Sequence, residues 1–376
     1  MLPHLLSVLL TAIALLPASA PDEFPMTWAG EKIKLSDLPG ALPESAQAAA
    51  RTWAPWAEEV GYRMDLSADA RVLLLTFDDN KGRKKSEKNM KLIEEVLEQL
   101  DSMLPLPASR PVEGTPTEAS AGDGAFEWGA VARESQTAVL LEIDDLDHHV
   151  SAIDFLMQQN DQLGAWGPAA KGLTGFVLEQ PLVAAWQPNA GVKVDWEGDP
   201  TNEMVNRLAQ LMTLRRFGRQ PYWLSVGIAW YVEMEQLDAV FCFPYRNAEF
   251  VSASEHNKWD KALRNSLKSR KEPLAMSELT RLARGTFHAE ASKMSWGAVA
   301  FLVRHHPGAL PEICEELYRN WDEQGRVTNA DGTWNRIPFF EPSDADQLAI
   351  FERHVPNFKL ELMRFYIEGT KYKLPK

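Results

Sequence analysis

Hydrophobic and polar residues are patterned differently in the two halves of the chain. In the first half, short apolar runs bounded by turn-forming residues predict buried strands at 71–77, 138–143 and 182–187. Apolar residues that recur at three- and four-residue spacing predict helices at 86–104 and 150–159. Beyond Pro200 the helical spacing dominates, and it predicts helices at 201–217, 224–237, 257–270, 275–285, 294–305, 309–320 and 355–367.

Strands followed by helices predict an α+β fold with a small mixed sheet. We divide the chain accordingly into an N-terminal segment over 21–69, a mixed α/β subdomain over 70–200 and a helical subdomain over 201–376. Residues 105–125 are rich in Pro, Gly, Ser, Thr and Ala and show no periodicity, which predicts a flexible insert within the mixed subdomain.

Residues 1–20 have the features of a signal peptide. The apolar run from Leu5 to Leu16 carries no charged side chain and is short for a bilayer span. Small residues at Ala18 and Ala20 form a typical cleavage site, so we expect cleavage after Ala20 and a secreted or periplasmic protein. An uncleaved N-terminal anchor is the alternative. Because no later apolar run reaches membrane-span length, we expect no stable membrane anchor in the mature chain.

Charge and cysteine content narrow the classes of partner. The 376 residues carry a net charge of −14 at pH 7. Nucleic acids and anionic membranes are bound by basic surfaces, so this charge argues against both as partners.

The two cysteines, Cys242 and Cys314, either form a disulfide in an oxidising compartment or remain as two buried free thiols, and the sequence leaves both open. No sequence feature predicts a particular oligomeric state.

One segment of the helical half carries the candidate chemistry. A predicted helix contains Asn202-Glu203-x-x-Asn206, and the next helix follows with the phrase Pro221-x-Trp223-Leu224-x-Val226-Gly227-x-Ala229-Trp230-Tyr231. The segment resembles the gluzincin, or peptidase MA-like, zinc metallopeptidases, whose signature is H-E-x-x-H on one helix followed by P-x-W-L-x-E-G-x-A-E-Y. The resemblance covers roughly residues 70–370 and is specific only over 202–233.

The resemblance implies a zincin-like fold with an active-site helix, and a defined role for each signature residue. In the family, two His one helical turn apart bind zinc, the Glu between them activates a zinc-bound water, and a Glu from the next helix is the third ligand. Here Asn202 and Asn206 occupy the two His positions, and Val226, twenty residues after Asn206, occupies the third-ligand position. Trp230 replaces the acidic residue that orients a zinc-bound His. Only Glu203, at the general-base position, is retained.

These replacements predict that the zinc expected for the family is not bound. Neutral amide oxygens are poor zinc donors, and valine offers none. Without a zinc-bound water, Glu203 has nothing to deprotonate, so we interpret it as vestigial. Asp199 and Pro200 also mark an ordinary helix start, and on that simpler interpretation the segment is a plain amphipathic helix.

The resemblance extends to segments outside the signature. The resemblance places 182–187 where the substrate-aligning edge strand of the family would be, and Ser292 where the later helix of the family usually has a Tyr. The acidic and His-rich stretch 142–149 is predicted to be a solvated strand-to-helix loop rather than a cation site.

We therefore expect a secreted or periplasmic pseudopeptidase, catalytically inactive, that binds a peptide or protein in the former cleft. One alternative is an active zinc metallopeptidase with non-standard ligands. The other is a structural cell-envelope protein whose cleft has closed, with Val226 and Trp230 filling the former metal cavity.

Overall fold

A computed structural model describes the greater part of the chain. The described residues are 23–37, 40, 42–106, 134–160, 163–187, 200–243, 258–269, 276–324, 326–328, 334–336 and 342–374. The predicted signal peptide at 1–20 and residues 107–125 of the predicted insert lie outside them.

Seven strands form one mixed sheet. They are β1 (Pro25–Trp28), β2 (Glu31–Lys34), β3 (Tyr62–Leu66), β4 (Val72–Phe77), β5 (Ala138–Glu142), β6 (Gly175–Leu178) and β7 (Val183–Trp186). Their spatial order is β2-β1-β3-β4-β5-β7-β6. Strands β4, β5 and β7 are mutually parallel, whereas β3 and the edge strand β6 run antiparallel to their neighbours β4 and β7. Two short strands, β8 (Arg326–Thr328) and β9 (Trp334–Arg336), pair separately as an antiparallel hairpin.

The helices lie on both sides of the sheet and fill the C-terminal half. They are α1 (Glu44–Val60), α2 (Asn80–Met103), α3 (Leu146–Gln159), α4 (Gly167–Ala170), α5 (Pro200–Phe217), α6 (Tyr222–Leu237), α7 (Trp259–Ser269), α8 (Met276–Leu279), α9 (Ala289–His305), α10 (Ala309–Gln324), α11 (Asp344–His354) and α12 (Phe358–Glu368). The predicted α+β class is confirmed. Among the described residues, no helix combines the length and the apolar character needed to cross a membrane.

The sheet separates two hydrophobic cores. Alternate residues of β4 face opposite sides, so that Leu73 and Leu75 belong to the core with α1 and α3, and Val72 and Leu74 to the core with α2, α5 and α6. All four side chains are fully buried. A strand covered on both faces has no solvent-facing positions, which explains why its sequence is uninterruptedly apolar and could be predicted.

The three predicted strands are confirmed as β4, β5 and β7, but the sheet extends beyond them. Strands β1 and β3, from the predicted N-terminal segment 21–69, pair with each other, and β3 pairs with β4 across the predicted boundary at residue 70. The expectation that 182–187 forms the edge of the sheet is wrong, because β7 lies between β5 and β6. The edge strand is β6, which the sequence pattern did not predict.

Helix caps account for two further differences from the prediction. Helix α2 begins at Asn80 rather than at 86, because the Asp79 side chain accepts a hydrogen bond from the backbone N–H of Gly82. Helix α3 begins at Leu146, with Asp145 accepting from the N–H of His148 at 2.8 Å. The stretch 142–149 is therefore not simply a solvated loop, since its second half is helical.

Two helices of the C-terminal half differ from the prediction. The helix expected at 275–285 is only α8, and α11 was not predicted. Cys242 and Cys314 are both buried free thiols, which decides between the two alternatives for this pair.

Gly227 allows α6 and α9 to approach closely, because a Cβ there would lie 2.8 Å from the carbonyl oxygen of Ser295.

Candidate functional site

The candidate site lies where α5 packs against α6. Helix α5 contacts β5, β6 and β7 on one side and α6 on the other. The two helices are joined by a short turn in which Gly218 has a φ of 64°, a left-handed conformation that suits glycine. We call residues 202, 206, 226 and 230 the metal-site positions, because the family resemblance assigns zinc ligands and their support to them.

The two asparagines of α5 converge on a carboxylate of α6. Asn202 and Asn206 are one helical turn apart and therefore lie on the same face of α5. The Asn202 Nδ2 donates to Glu233 Oε1 at 2.8 Å, and the Asn206 Nδ2 donates to Glu233 Oε2 at 3.0 Å. Each carboxylate oxygen thus receives one amide hydrogen bond.

Backbone groups complete the surroundings of this carboxylate. The N–H groups of Phe241 and Cys242 donate to Glu233 Oε1 at 2.6 and 3.3 Å. The remaining amide hydrogen bonds run to Ala239 and Gln210: the Asn202 Nδ2 also donates to the Ala239 carbonyl at 3.0 Å, and Asn206 Oδ1 accepts from Gln210 at 2.6 Å. We call Asn202, Asn206 and Glu233 the amide–carboxylate cluster.

The amide–carboxylate cluster is shielded from water. Glu233 is 0% exposed, and Asn202 and Asn206 are each 3% exposed. Burial raises the pKa of Glu233 from 4.5 to about 8, an effect that outweighs the opposing effect of the hydrogen bonds from Phe241, Asn202 and Asn206. The nearby charge of Glu203 acts in the same direction as burial. Glu233 is therefore a carboxyl group that takes up a proton near neutral pH.

Glu203, the retained general-base position, points to a different partner. Its carboxylate lies 3.4 Å from the guanidinium of Arg207, one turn further along α5, and its side chain is 14% exposed. The ion pair is of the i,i+4 type that commonly supports a helix surface. Its ion pair with Arg207 is therefore of a kind that stabilises a helix.

Val226 and Trp230 lie in the hydrophobic core between α6 and its neighbours. They are 5% and 1% exposed. The Trp230 Nε1 donates to the Cys242 carbonyl at 2.5 Å, and its ring lies edge-to-face with Trp259 at a centroid distance of 5.7 Å. Among the described residues, all four metal-site positions are therefore buried.

The residues at the metal-site positions do not fit a zinc ion. Both amide nitrogens of the cluster are directed at Glu233, so that the groups facing the carboxylate are hydrogen-bond donors rather than metal ligands. Val226 and Trp230 supply no ligand atom. In the parts of the chain that the structure describes, no group of three or more His, Cys, Asp or Glu side chains is arranged to hold a metal.

Glu233 is the residue of this site that the sequence reasoning missed. It lies seven residues after Val226 and therefore on nearly the same face of α6. The available signal was an acidic residue in an otherwise apolar stretch of the helix, which is unusual at a buried position.

A second buried carboxylate lies at the end of β5. Glu142 is 7% exposed, forms an ion pair with Lys85 of α2 and accepts from the Asn89 Nδ2 at 2.8 Å. His149 is fully buried, with its Nε2 3.1 Å from the Ala170 carbonyl. Glu142 and His149 therefore each bond a different part of the fold.

The raised pKa of Glu233 predicts a pH-dependent stability. A carboxyl whose pKa is higher in the folded than in the unfolded protein stabilises the fold fully below about pH 4.5, and this contribution is lost as the pH rises through about 8. We expect Glu233→Gln, which cannot ionise, to remove this dependence. Relative to the wild type, the variant should gain a few kcal/mol between pH 5 and pH 8, since one pKa unit corresponds to about 1.4 kcal/mol.

Urea unfolding followed by circular dichroism at pH 5, 6, 7 and 8 measures this difference. Comparing each pH within the wild-type and Glu233→Gln pair cancels the titration of all other groups. A stability difference that stays constant from pH 5 to pH 8 would show that Glu233 does not titrate in the folded protein.

In comparisons with known proteins, no family model matches the chain and no curated protein matches it.

Proposed function

We propose that this protein is a catalytically inactive, zinc-independent pseudopeptidase with a zincin-like scaffold. The observation that carries the proposal is the pair of hydrogen bonds from Asn202 and Asn206 to Glu233. In the family that the sequence resembles, the two residues at these positions bind zinc. Here the same helical face holds a buried carboxylate of the protein itself, which occupies both side chains.

The arrangement of the sheet and helices supports the scaffold part of the proposal. The antiparallel edge strand β6 and its partner β7 directly precede α5 among the described elements, and α5 packs on both strands. An edge strand beside the signature helix is what the resemblance implies. That role falls to residues 175–178 rather than to 182–187.

Burial favours a closed site over a peptide-binding cleft at the metal-site positions. Val226, Trp230 and both asparagines are at most 5% exposed, and 182–187 is buried along its whole length. A ligand would have to displace core side chains to reach Glu203 or the cluster. Of the alternatives, the structural protein with a filled metal cavity is therefore better supported than a binder that uses the former cleft.

The alternative of an active metallopeptidase has less support. It requires a ligand set that replaces three lost residues, and the amide–carboxylate cluster already engages the side chains that would have to turn toward a metal. The proposed secreted or periplasmic location rests on residues 1–20, whose apolar run and small residues have the pattern of a cleavable signal.

Metal content and peptidase activity test the proposal directly. Purified protein incubated with excess zinc chloride and then dialysed is expected to retain far less than one zinc per chain by mass spectrometry. Hydrolysis of casein and of a quenched fluorescent peptide library should be at background, and identical in Glu203→Gln. One zinc per chain, or a hydrolysis rate that Glu203→Gln abolishes, would overturn the proposal.

A restored ligand set tests the zincin-like scaffold separately. The double variant Asn202→His and Asn206→His places two imidazoles beside Glu233, the carboxyl group that both positions meet. Its matched control carries Arg207→His in place of Asn206→His, so that the second imidazole points away from the first. We expect one bound zinc in the double variant and none in the control. Equal zinc retention by the two folded variants would contradict the assigned geometry.

A further inference from the structure

The first three turns of α2 present a row of lysines to solvent. Lys81, Lys84, Lys88 and Lys91 follow one another at three- and four-residue spacing, so they lie on one face of the helix over about 15 Å. All four side chains are exposed. The opposite face of α2, with Ile93 at its centre, is buried in the core. We call these four residues the lysine face.

The lysine face has little compensation within the fold. Among the described residues, Lys81, Lys84 and Lys88 form no salt bridge, whereas other charged side chains of α2 do. Lys91 meets Glu95 only at 3.9 Å, and both side chains of this pair are at least half exposed. Exposed pairs of this kind contribute little.

Three carboxylates beside the start of α2 already have other roles. Asp78 pairs with Arg83 at 2.8 Å, and the buried Glu142 pairs with Lys85. Asp79 is the N-cap of the helix. The lysine face therefore stays positive although the carboxylates lie near it.

This arrangement is locally unfavourable for the helix. Lys84 and Lys88 are like charges one turn apart and repel each other, as do Lys81 and Lys85. Lys81 also lies in the first turn, at the positive end of the helix dipole. The chain as a whole carries a net charge of −14, so the cluster does not follow from composition. A local arrangement that opposes folding is expected where a site serves a function.

We propose that the lysine face binds an acidic, extended segment of a partner protein. Charge complementarity carries the proposal. Alternate side chains of an extended segment point the same way about 6.6 Å apart, and the lysines follow one another at about 4.5 to 6 Å along the helix axis. Successive carboxylates can therefore meet successive lysines. The proposal is independent of the proposed function, because no lysine of this face belongs to the amide–carboxylate cluster.

Two other kinds of polyanion match this surface less well. Asp144 and Asp145 are exposed just beyond the end of β5, close to the ion pair between β5 and α2. They would repel the plane of an anionic bilayer, whereas a narrow segment can lie along the helix alone. Helix α2 contains no aromatic residue on which a nucleobase could stack.

Two labelled decapeptides measure the binding by fluorescence anisotropy. One alternates glutamate with serine, and the other alternates glutamine with serine and has the same shape without the charge. We expect the acidic peptide to bind at about 50 mM NaCl and to bind roughly tenfold more weakly at about 300 mM, because salt screens exposed charges. The neutral peptide should not bind.

The triple variant Lys81→Gln, Lys84→Gln and Lys88→Gln tests the assigned face. Glutamine has a helix propensity close to that of lysine, so the helix is retained. We expect the acidic peptide to bind roughly tenfold more weakly to this variant. Its urea midpoint should be no lower than that of the wild type, because the like-charge contacts are removed.

A matched control removes three exposed lysines at the start of α7 and within it. Lys258→Gln, Lys261→Gln and Lys268→Gln change the net charge by the same amount, but none of these residues lies one turn from another lysine. This variant should bind the acidic peptide like the wild type.

Each outcome decides the proposal. It is overturned if the acidic peptide does not bind, if the neutral peptide binds equally well, or if both triple variants weaken binding alike, which would reflect net charge alone. Vesicles of phosphatidylcholine with phosphatidylglycerol and a single-stranded thymidine oligonucleotide complete the series. If either binds through the lysine face and the acidic peptide does not, the assigned partner is wrong.

Discussion

Replacing Glu233 with alanine is expected to lower the free energy of unfolding by about 3–5 kcal/mol. The substitution removes the acceptor of four donors: the amides of Asn202 and Asn206 and the backbone N–H groups of Phe241 and Cys242. Asn202 keeps its bond to the Ala239 carbonyl, whereas the donors of Asn206, Phe241 and Cys242 lose the partner described for them and retain their desolvation cost. The lost packing volume adds to this effect, because Glu233 is fully buried.

Glu235→Ala is the matched control for this experiment. It removes the same side chain from the same helix, but Glu235 is 38% exposed and contributes a surface ion pair with Arg304. Such pairs are worth at most about 1 kcal/mol. Urea unfolding of the three proteins at pH 6 measures both effects. If Glu233→Ala were no more destabilising than Glu235→Ala, the amide–carboxylate cluster would not be a structural element.

The large elements of the fold were predictable because burial leaves a strong sequence signal. Strand β4 is apolar without interruption since both its faces are covered, and the start and end of α5 were predicted to within one residue. Helix α6 follows the same logic, because ten of its 16 residues are buried. In these segments the local pattern and the tertiary environment agree.

In the strands that the sequence did not predict, the local pattern and the tertiary environment disagree. Strand β2 reads Glu-Lys-Ile-Lys, with only one apolar residue in four, and it forms through pairing with β1 rather than through burial. Strand β6 begins with Gly175, and glycine generally disfavours strands. Glycine is needed at this position because a Cβ there would lie 2.5 Å from the carbonyl oxygen of Ala185. Both strands depend on partners that the local pattern does not reveal.

The candidate site was only half predictable for a related reason. Helical spacing places Asn202 and Asn206 on one face, and the structure bears this out. Their partner depends on how α5 and α6 cross, which spacing alone does not determine. The family spacing directed attention to Val226, whereas the side chain that meets the asparagines is Glu233, two turns further along α6.

The amide–carboxylate cluster links α5 to α6. Glu233 of α6 accepts hydrogen bonds from Asn202 and Asn206 of α5. Hydrogen bonds from four donors offset part of the cost of burying this carboxyl group.

Trp223 at the start of α6 is expected to be the second position of large effect, with Trp223→Ala destabilising the protein by about 3–5 kcal/mol. The indole is fully buried, its Nε1 donates to Gln347 Oε1 at 3.0 Å, and its ring packs against Phe351 at a centroid distance of 5.4 Å. Gln347 and Phe351 both belong to α11, the helix that the sequence pattern did not predict. The tryptophan therefore links α6 to α11.

Trp223→Phe separates the two parts of this effect. Phenylalanine retains an aromatic ring against Phe351 but leaves Gln347 Oε1 without its donor, so we expect a smaller loss of about 1–2 kcal/mol. A double-mutant cycle with Gln347→Ala, measured by urea unfolding, should give a coupling energy of about 1 kcal/mol for the hydrogen bond. Independent effects of the two substitutions would mean that α6 and α11 are held together by ring packing alone.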